Sequence, residues 1–139
     1  MTPTRLAQTY ARAFPETRAW GVDEFAALLA DPGTFVTGNA DAFVLMRVVA
    51  DEAEVLTLAT APEKRREGRA RAVLTEAETE AARRGARVVF LEVAENNDAA
   101  NALYAACGYH RIGRRPGYYT PKNGAAVAAL VLSKRLSQS

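Results

Sequence analysis

The chain has 139 residues, 49% apolar and 24% charged, which predicts one globular domain over residues 1–139 with a sizeable core. Its 18 basic and 16 acidic side chains leave a net charge of +2, too balanced for general nucleic-acid binding, so basic residues matter by location. A lone Cys107 excludes an internal disulfide, a lone His110 argues against a zinc site, and no apolar run or signal-like N-terminus points away from the cytoplasm.

Thr4 to Phe14 has helical propensity, with Leu6, Tyr10 and Phe14 spaced to share a face, and Pro15 ends it. A second helix is predicted from Phe25 to Ala30, capped by Asp23 or the residue before it and stopped by Asp31-Pro32-Gly33. Thr34 to Thr37 reads as a short strand. Gly38-Asn39 then signals a turn into a strand from Ala42 to Val49, and Asp51-Glu52 a turn into a strand from Val55 to Thr60. These three are expected to form an antiparallel meander.

The third strand runs through Ala61-Pro62 into a glycine-centred basic turn, Glu63-Lys64-Arg65-Arg66-Glu67-Gly68-Arg69-Ala70-Arg71, which opens a helix. The first amides of a helix lack intrahelical acceptors and lie at the positive end of its dipole, so such a turn can hold an anion. Gly68 has no Cβ to keep a ligand off the backbone, Ala70 is nearly as open, and Arg65, Arg66, Arg69 and Arg71 add charge. The turn reads as a pyrophosphate cradle, with a solvated basic helix start as the plainer alternative. It is neither a Walker loop nor a dinucleotide fingerprint, since G-x-x-x-x-G-K-[ST] and G-x-G-x-x-G are both absent.

Beyond the turn, Ala70, Val73, Leu74, Ala77 and Ala81 keep helical spacing, and Gly85 is a natural stop. Arg87 to Val93 contains Val-Val-Phe-Leu-Glu-Val, which predicts a strand buried on both faces and, with the preceding strand and helix, a right-handed parallel crossover. Asn96, Asn97 or Asp98 caps a short helix reaching Cys107 and ended by Gly108. Tyr109 to Arg114 and Val127 to Leu132 form a final antiparallel pair, joined by a loop holding Pro116-Gly117-Tyr118-Tyr119. His110 and Cys107 read as packing residues.

The pattern [Arg/Gln]-x-x-Gly-x-[Gly/Ala], present as Arg65-Arg66-Glu67-Gly68-Arg69-Ala70, resembles the acetyl-coenzyme A loop of the GNAT superfamily of N-acetyltransferases. Leu91-Glu92-Val93, then Asn97-Asp98-Ala99-Ala100, then Leu103-Tyr104-Ala105-Ala106-Cys107-Gly108-Tyr109 is similar to the second half of that family's core. Arg114-Arg115-Pro116-Gly117-Tyr118-Tyr119, and Ala13-Phe14-Pro15 with Trp20, resemble one branch, the bacterial ribosomal-protein-alanine N-acetyltransferases, which modify a protein's N-terminal amine. The likeness covers nearly the whole chain and is strongest from Val55 to Tyr119.

The resemblance implies an α/β fold, a mixed and mostly antiparallel central sheet with one splayed parallel pair, flanked by helices. It implies acetyl transfer from acetyl-coenzyme A, as cosubstrate and without a metal, to a primary amine, above all the N-terminal α-amine of a ribosomal protein. Residue by residue, Leu58, Ala59 and Thr60 match the strand whose backbone pairs with the pantetheine arm. Arg65, Arg66, Glu67, Gly68, Arg69, Ala70 and Arg71 match the pyrophosphate loop, and Asn97 a position that hydrogen-bonds the cofactor. Glu92 matches the general base and Tyr104 the general acid, while Tyr118 and Tyr119 would wall the peptide groove. The implied partners are acetyl-coenzyme A and a protein N-terminus, with no membrane or direct nucleic-acid contact, the chain acting as a monomer or weak homodimer. Two features depart from the family: Thr2-Pro3-Thr4 leads almost straight into a helix where a first strand is expected, and Asn123-Gly124-Ala125-Ala126 lacks the acidic residues that some relatives carry.

Read without the family, several of these residues keep a second explanation. Glu92 could be a carboxylate leaving a strand into solvent, Tyr104 a core aromatic beside Leu103, Asn97 a helix cap, and Tyr118 and Tyr119 strand-edge aromatics. A small amine, such as a polyamine or an amino sugar, would suit the same chemistry. A non-catalytic module holding coenzyme A or RNA through its arginines is a further alternative.

Overall fold

The computed structural model describes residues 1–15, 20–119 and 125–136. Helix α1 (Pro3–Ala13) starts because Thr2 Oγ1 accepts the Arg5 N–H at 3.2 Å and Pro3 supplies a preset φ at the first position. Helix α2 spans Val22–Ala30, three residues longer at its start than expected, and its cap is Gly21 rather than Asp23 or Val22. Asp23 and Glu24 instead occupy the first turn, where the helix dipole favours acids, and Glu24 Oε1 reaches back toward the Gly21 N–H at 3.4 Å.

Strands β1 (Thr34–Gly38), β2 (Ala42–Val49) and β3 (Glu52–Thr60) form the expected meander. β3 begins three residues before the expected Val55, because the turn at Ala50 and Asp51 is tight and Ala50 takes a φ of 56°. Helix α3 (Arg69–Arg83) leads to β4 (Val88–Ala94), then α4 (Asp98–Ala106), β5 (His110–Tyr119) and β6 (Val127–Arg135). The six strands lie in the order β1-β2-β3-β4-β6-β5, with β3 and β4 the one parallel pair.

Three expectations are corrected here. β4 is not buried on both faces: Val89, Leu91 and Val93 are buried, whereas Val88, Phe90, Glu92 and Ala94 are only partly covered. Pro116-Gly117-Tyr118-Tyr119 belongs to β5 rather than to a loop, with Tyr119 paired to Val127. β5 is an edge strand, where a proline needs no partner for a missing N–H, and register shifts on either side of Gly113–Arg115 absorb its irregularity. His110 is also exposed at the start of β5, not packed, while Cys107 does pack against the core.

The core has two halves, one on each face of the sheet. On the α3–α4 face, Val44, Met46, Ala53, Val55, Leu74, Val89, Leu91 and Tyr104 pack together. On the α1–α2 face, Leu6, Phe25, Phe43, Leu45 and Ala59 do so. Leu6, Phe25 and Phe43 are fully buried there, each contributing about 1.5–3 kcal/mol of apolar burial. Trp20 stacks on Tyr10 at 5.3 Å and meets Phe25 edge-on at 5.6 Å, joining α1 to α2.

A single extra residue in β3 sets up the site. Met46 pairs with Val55 and Leu45 with Thr57, so Leu56 is left over as a bulge. The bulge inverts the alternation: Ala53 and Val55 face α3, but beyond it Leu58 packs on that side and Ala59 turns to α1. The parallel ladder between β3 and β4 contains only Glu52 with Val88, Ala53 with Val89 and Glu54 with Phe90. From there β3 follows β2 as far as Thr60, and β4 follows β6 as far as Ala94. The two parallel strands therefore part just past Glu54 and Phe90, leaving facing backbone edges unpaired with each other.

Candidate active site

The carboxyl end of the parted pair is closed by the basic turn. A short 3₁₀ segment, Pro62–Lys64, follows β3, and the chain then passes through two left-handed residues, Arg66 with φ 66° and Gly68 with φ 75°. Gly68 is the N-cap of α3 and supplies no side-chain cap. The first hydrogen bond of α3 runs from the Ala72 N–H to the Gly68 carbonyl at 3.1 Å. The N–H groups of Arg69, Ala70 and Arg71 precede it, and among the described residues none has an acceptor. A Cβ built on Gly68 would meet nothing within 4 Å, so the space in front of these amides is open.

The four arginines of the turn do different things. Arg65 Nη2 donates to the Ala13 carbonyl at 2.9 Å, tying the turn to the end of α1. Arg69 donates to Glu67 at 2.9 Å and to Asp41 at 3.2 Å. Beside these, Arg12 pairs with Glu63 and holds that carboxyl below the usual carboxylate range. Arg66 and Arg71 are exposed and make no ion pair among the described residues, so they and the backbone amides carry the free positive potential.

Leu58, Ala59 and Thr60 line the β3 side of the opening, held from behind by Val44, Phe43 and Ala42 of β2. Across it, Asn97 caps α4: its Oδ1 accepts the Ala100 N–H at 3.1 Å. The capping alternative for Asn97 is therefore occupied through its oxygen. Asn101, which the sequence reading passed over, holds the same corner by donating to the carbonyls of Ala94 at 3.2 Å, Glu95 at 3.3 Å and Asn97 at 2.9 Å. Its signal was an amide one helical turn after the capping Asn.

Glu92 and Tyr104 lie on opposite faces of the sheet. Leu91 and Val93 flank Glu92 and both point into the α3–α4 core, so Glu92 faces the α1–α2 side. Its side chain is 27% exposed, and its Oε1 lies 3.2 Å from Arg115 Nη1. Glu92 is thus neither fully desolvated nor a lone carboxylate in water. Tyr104 is 6% exposed within the α3–α4 core and meets Tyr109 edge-on at 5.6 Å. The gap between β3 and β4 opens between their two faces.

Three further residues have pairings that the sequence does not show, Arg115 among them although it lies in a quoted motif. Arg115 pairs with Glu92, Asp41 with Arg69, and Glu78 accepts from both Tyr109 and Lys134. None lies near its partner in sequence, so no local spacing could reveal the pairs. The side chains of Tyr118 and Tyr119 lie outside the described residues, as do Asn123 and Gly124. Among the described residues there is no group of three or more His, Cys, Asp or Glu able to hold a metal, and no helix long and apolar enough to cross a membrane.

Comparison with known proteins gives a consistent picture. Residues 4–109 match the model of the acetyltransferase (GNAT) family. The chain is 36% identical over 99 residues to the [ribosomal protein bS18]-alanine N-acetyltransferase of Escherichia coli (strain K12), covering 69% of this chain and 67% of that protein. It is 36% identical over 124 residues to the N-alpha-acetyltransferase RimI of Mycobacterium tuberculosis (strain ATCC 25618 / H37Rv), covering 83% of this chain and 77% of that one. The crystal structure of the ribosomal-protein-S18-alanine N-acetyltransferase from Escherichia coli superposes with a TM-score of 0.87 at 27% identity, over 99% of this chain and 89% of that one.

Proposed function

The chain belongs to the acetyltransferase (GNAT) family, and from that premise we propose that it moves an acetyl group from acetyl-coenzyme A to the N-terminal α-amine of a protein, with a ribosomal protein as the target. It is an N-acetyltransferase, and acetyl-coenzyme A is its cosubstrate. The observation that carries the finer reading is the parting of β3 from β4 directly beneath an open turn of unpaired amides. The family resemblance of the same residues supports it, as do the names of the relatives, one an alanine N-acetyltransferase of ribosomal protein bS18 and the other an N-alpha-acetyltransferase.

In this reading the amides of Arg69, Ala70 and Arg71, with Arg66 and Arg71 as counter-charges, hold the diphosphate. The free edge of Leu58, Ala59 and Thr60 offers backbone partners to the pantetheine arm, and Asn97 offers its amide nitrogen. The thioester then sits in the gap, between Glu92 on one face and Tyr104 on the other.

Chemistry proceeds by direct attack. The amine nitrogen forms a bond to the thioester carbonyl carbon, and the carbon–sulfur bond breaks. Glu92, directly or through water, takes the proton that the amine gives up; Tyr104 gives one to the departing thiolate. The products are an acetylated amine and free coenzyme A. An α-amine, with a pKa near about 8, is a feasible acceptor at neutral pH, whereas a lysine amine near about 10.4 is almost wholly protonated.

The test is steady-state thiol release with an alanine-initiated peptide. Glu92→Gln and Tyr104→Phe are each expected to lower kcat by about 100-fold, within the range for a lost proton-transfer group, with little change in acetyl-coenzyme A affinity. Unchanged kcat in both variants would remove the mechanism. Mass spectrometry of protein N-termini from cells with and without the protein identifies the acceptor.

A further inference from the structure

We propose that Arg115 is a specificity-determining residue, which by neutralising Glu92 keeps the acceptor site from capturing strongly cationic alkylamines and so favours α-amines. The inference rests on the active-site reading above for its location, but its own basis is the charge arrangement of one sheet face.

Glu92 of β4, Val131 of β6 and Gly113 of β5 lie in register across the sheet. Arg115 is paired with Ala129, which is paired with Ala94, so Arg115 shares the face of Glu92 two strands away. Two strand spacings amount to roughly 10 Å. The guanidinium crosses this span to within 3.2 Å of Glu92 Oε1. Gly113 has no side chain and Ala129 only a methyl group, so of the residues between the two strands only Val131 stands beside the path. On the neighbouring strands β3 and β2, Glu54 is likewise paired, with Arg47 at 3.5 Å.

The consequence follows from the acceptor's own charge. At about pH 7.5 roughly one α-amine in four is neutral, against about one alkylamine in a thousand. A bare carboxylate at the reaction site would hold ammonium ions as ion pairs, and a polyamine most of all. A carboxylate already paired with a guanidinium, which keeps its charge at any accessible pH, offers no such attraction. The acceptor must then bind through contacts other than charge, and the amine that presents more of its neutral form gains the advantage.

Arg115→Met removes the charge while keeping much of the side chain, and Arg115→Lys keeps the charge. Each full-length variant and the wild type are assayed by thiol release with acetyl-coenzyme A and two acceptors, an alanine-initiated peptide and spermidine. Arg115→Met is expected to lower the KM for spermidine relative to that for the peptide by about fivefold or more, the scale of one partly screened charge contact. The gain should vanish at high ionic strength, and Arg115→Lys should restore the wild-type ratio. A loss of packing alone would change kcat or melting temperature without a charge-dependent change in this ratio. A KM ratio within twofold of wild type in Arg115→Met, or Arg115→Lys behaving like Arg115→Met, overturns the inference. Should Glu92→Gln turn over like the wild type, the base assignment falls while the selectivity change is still read on its own. Should the wild type release no thiol with either acceptor, both fall.

Discussion

The Tyr109 hydroxyl donates to Glu78 Oε2 at 2.8 Å, joining the residue just before β5 to the middle of α3 across the buried α3–α4 side of the sheet. Lys134 of β6 donates to the other carboxylate oxygen, also at 2.8 Å, and its ammonium lies 5.7 Å from the centre of the Tyr109 ring. Glu78 is 9% exposed and Tyr109 5%, so the carboxylate is buried but fully partnered, as such a charge must be. Burial and the neighbouring carboxylate push the Tyr109 phenol far above its usual range, so it remains a donor at any working pH.

Losing one partner of that group should cost more than losing a single neutral bond. Tyr109→Phe is expected to destabilise by about 1–2 kcal/mol, and Glu78→Ala by about 3 kcal/mol, because the latter strands a hydroxyl and an ammonium together. Urea unfolding checks both values. Equal, negligible costs would mean that the network is solvated in practice.

Gly68 carries a different kind of demand. Its φ of 75° penalises any side chain, yet a Cβ there meets no protein atom within 4 Å. Gly68→Ala should therefore lower stability by about 1–2 kcal/mol through backbone strain, and weaken acetyl-coenzyme A binding by more than tenfold by filling the approach to the amides. Calorimetric titration separates the two effects; wild-type affinity in Gly68→Ala would place the diphosphate elsewhere.

The arginines of the turn should divide in the same experiment. Arg66→Ala and Arg71→Ala are expected to weaken acetyl-coenzyme A binding severalfold each, with a shallower salt dependence, and to leave the melting temperature unchanged. Arg65→Ala removes the bond to the Ala13 carbonyl and should lower the melting temperature instead. The opposite division would show that Arg65 leaves α1 when the cosubstrate binds.

Deleting Leu56 probes the gap itself. The deletion removes the bulge and leaves Val55 opposite Met46 and Thr57 opposite Leu45, so every other β3 side chain keeps its face. The protein should fold, with β3 free to continue alongside β4, and acetyl-coenzyme A affinity should fall by more than tenfold. Retention of binding in a folded deletion variant would show that the parting of the strands has another cause.

Acid stability offers a check remote from the site. Hydrogen bonds from Arg83 and Arg84 hold the Glu80 carboxyl down to about 2, against an ordinary value of 4.5. A depressed folded-state value stabilises the protein above the unfolded value and loses that contribution as pH falls from about 4.5 toward 2. Glu80 is partly exposed, so screening keeps the effect small: Glu80→Gln should lower the melting temperature by about 1–3 °C at neutral pH. The difference should close near pH 2. A gap that widens in acid would contradict the sign.

What the residues determined by themselves was local. Pro15, Gly85 and Gly108 end helices, Asn97 caps one, and β2 runs from Ala42 to Val49, as spacing and turn chemistry predict. The basic turn opening α3 was equally legible, because helix ends leave amides unpaired whatever surrounds them. The start of β3 was not, since Glu52-Ala53-Glu54 hides one buried alanine between exposed acids. Only the tertiary structure decided that Leu56 bulges, that Arg65 and Arg69 turn away to α1 and Asp41, and that Arg115 reaches Glu92. A bulge is set by the pairing of two strands, and an ion pair by where the sheet brings two distant strands together; neither has a periodicity along the chain.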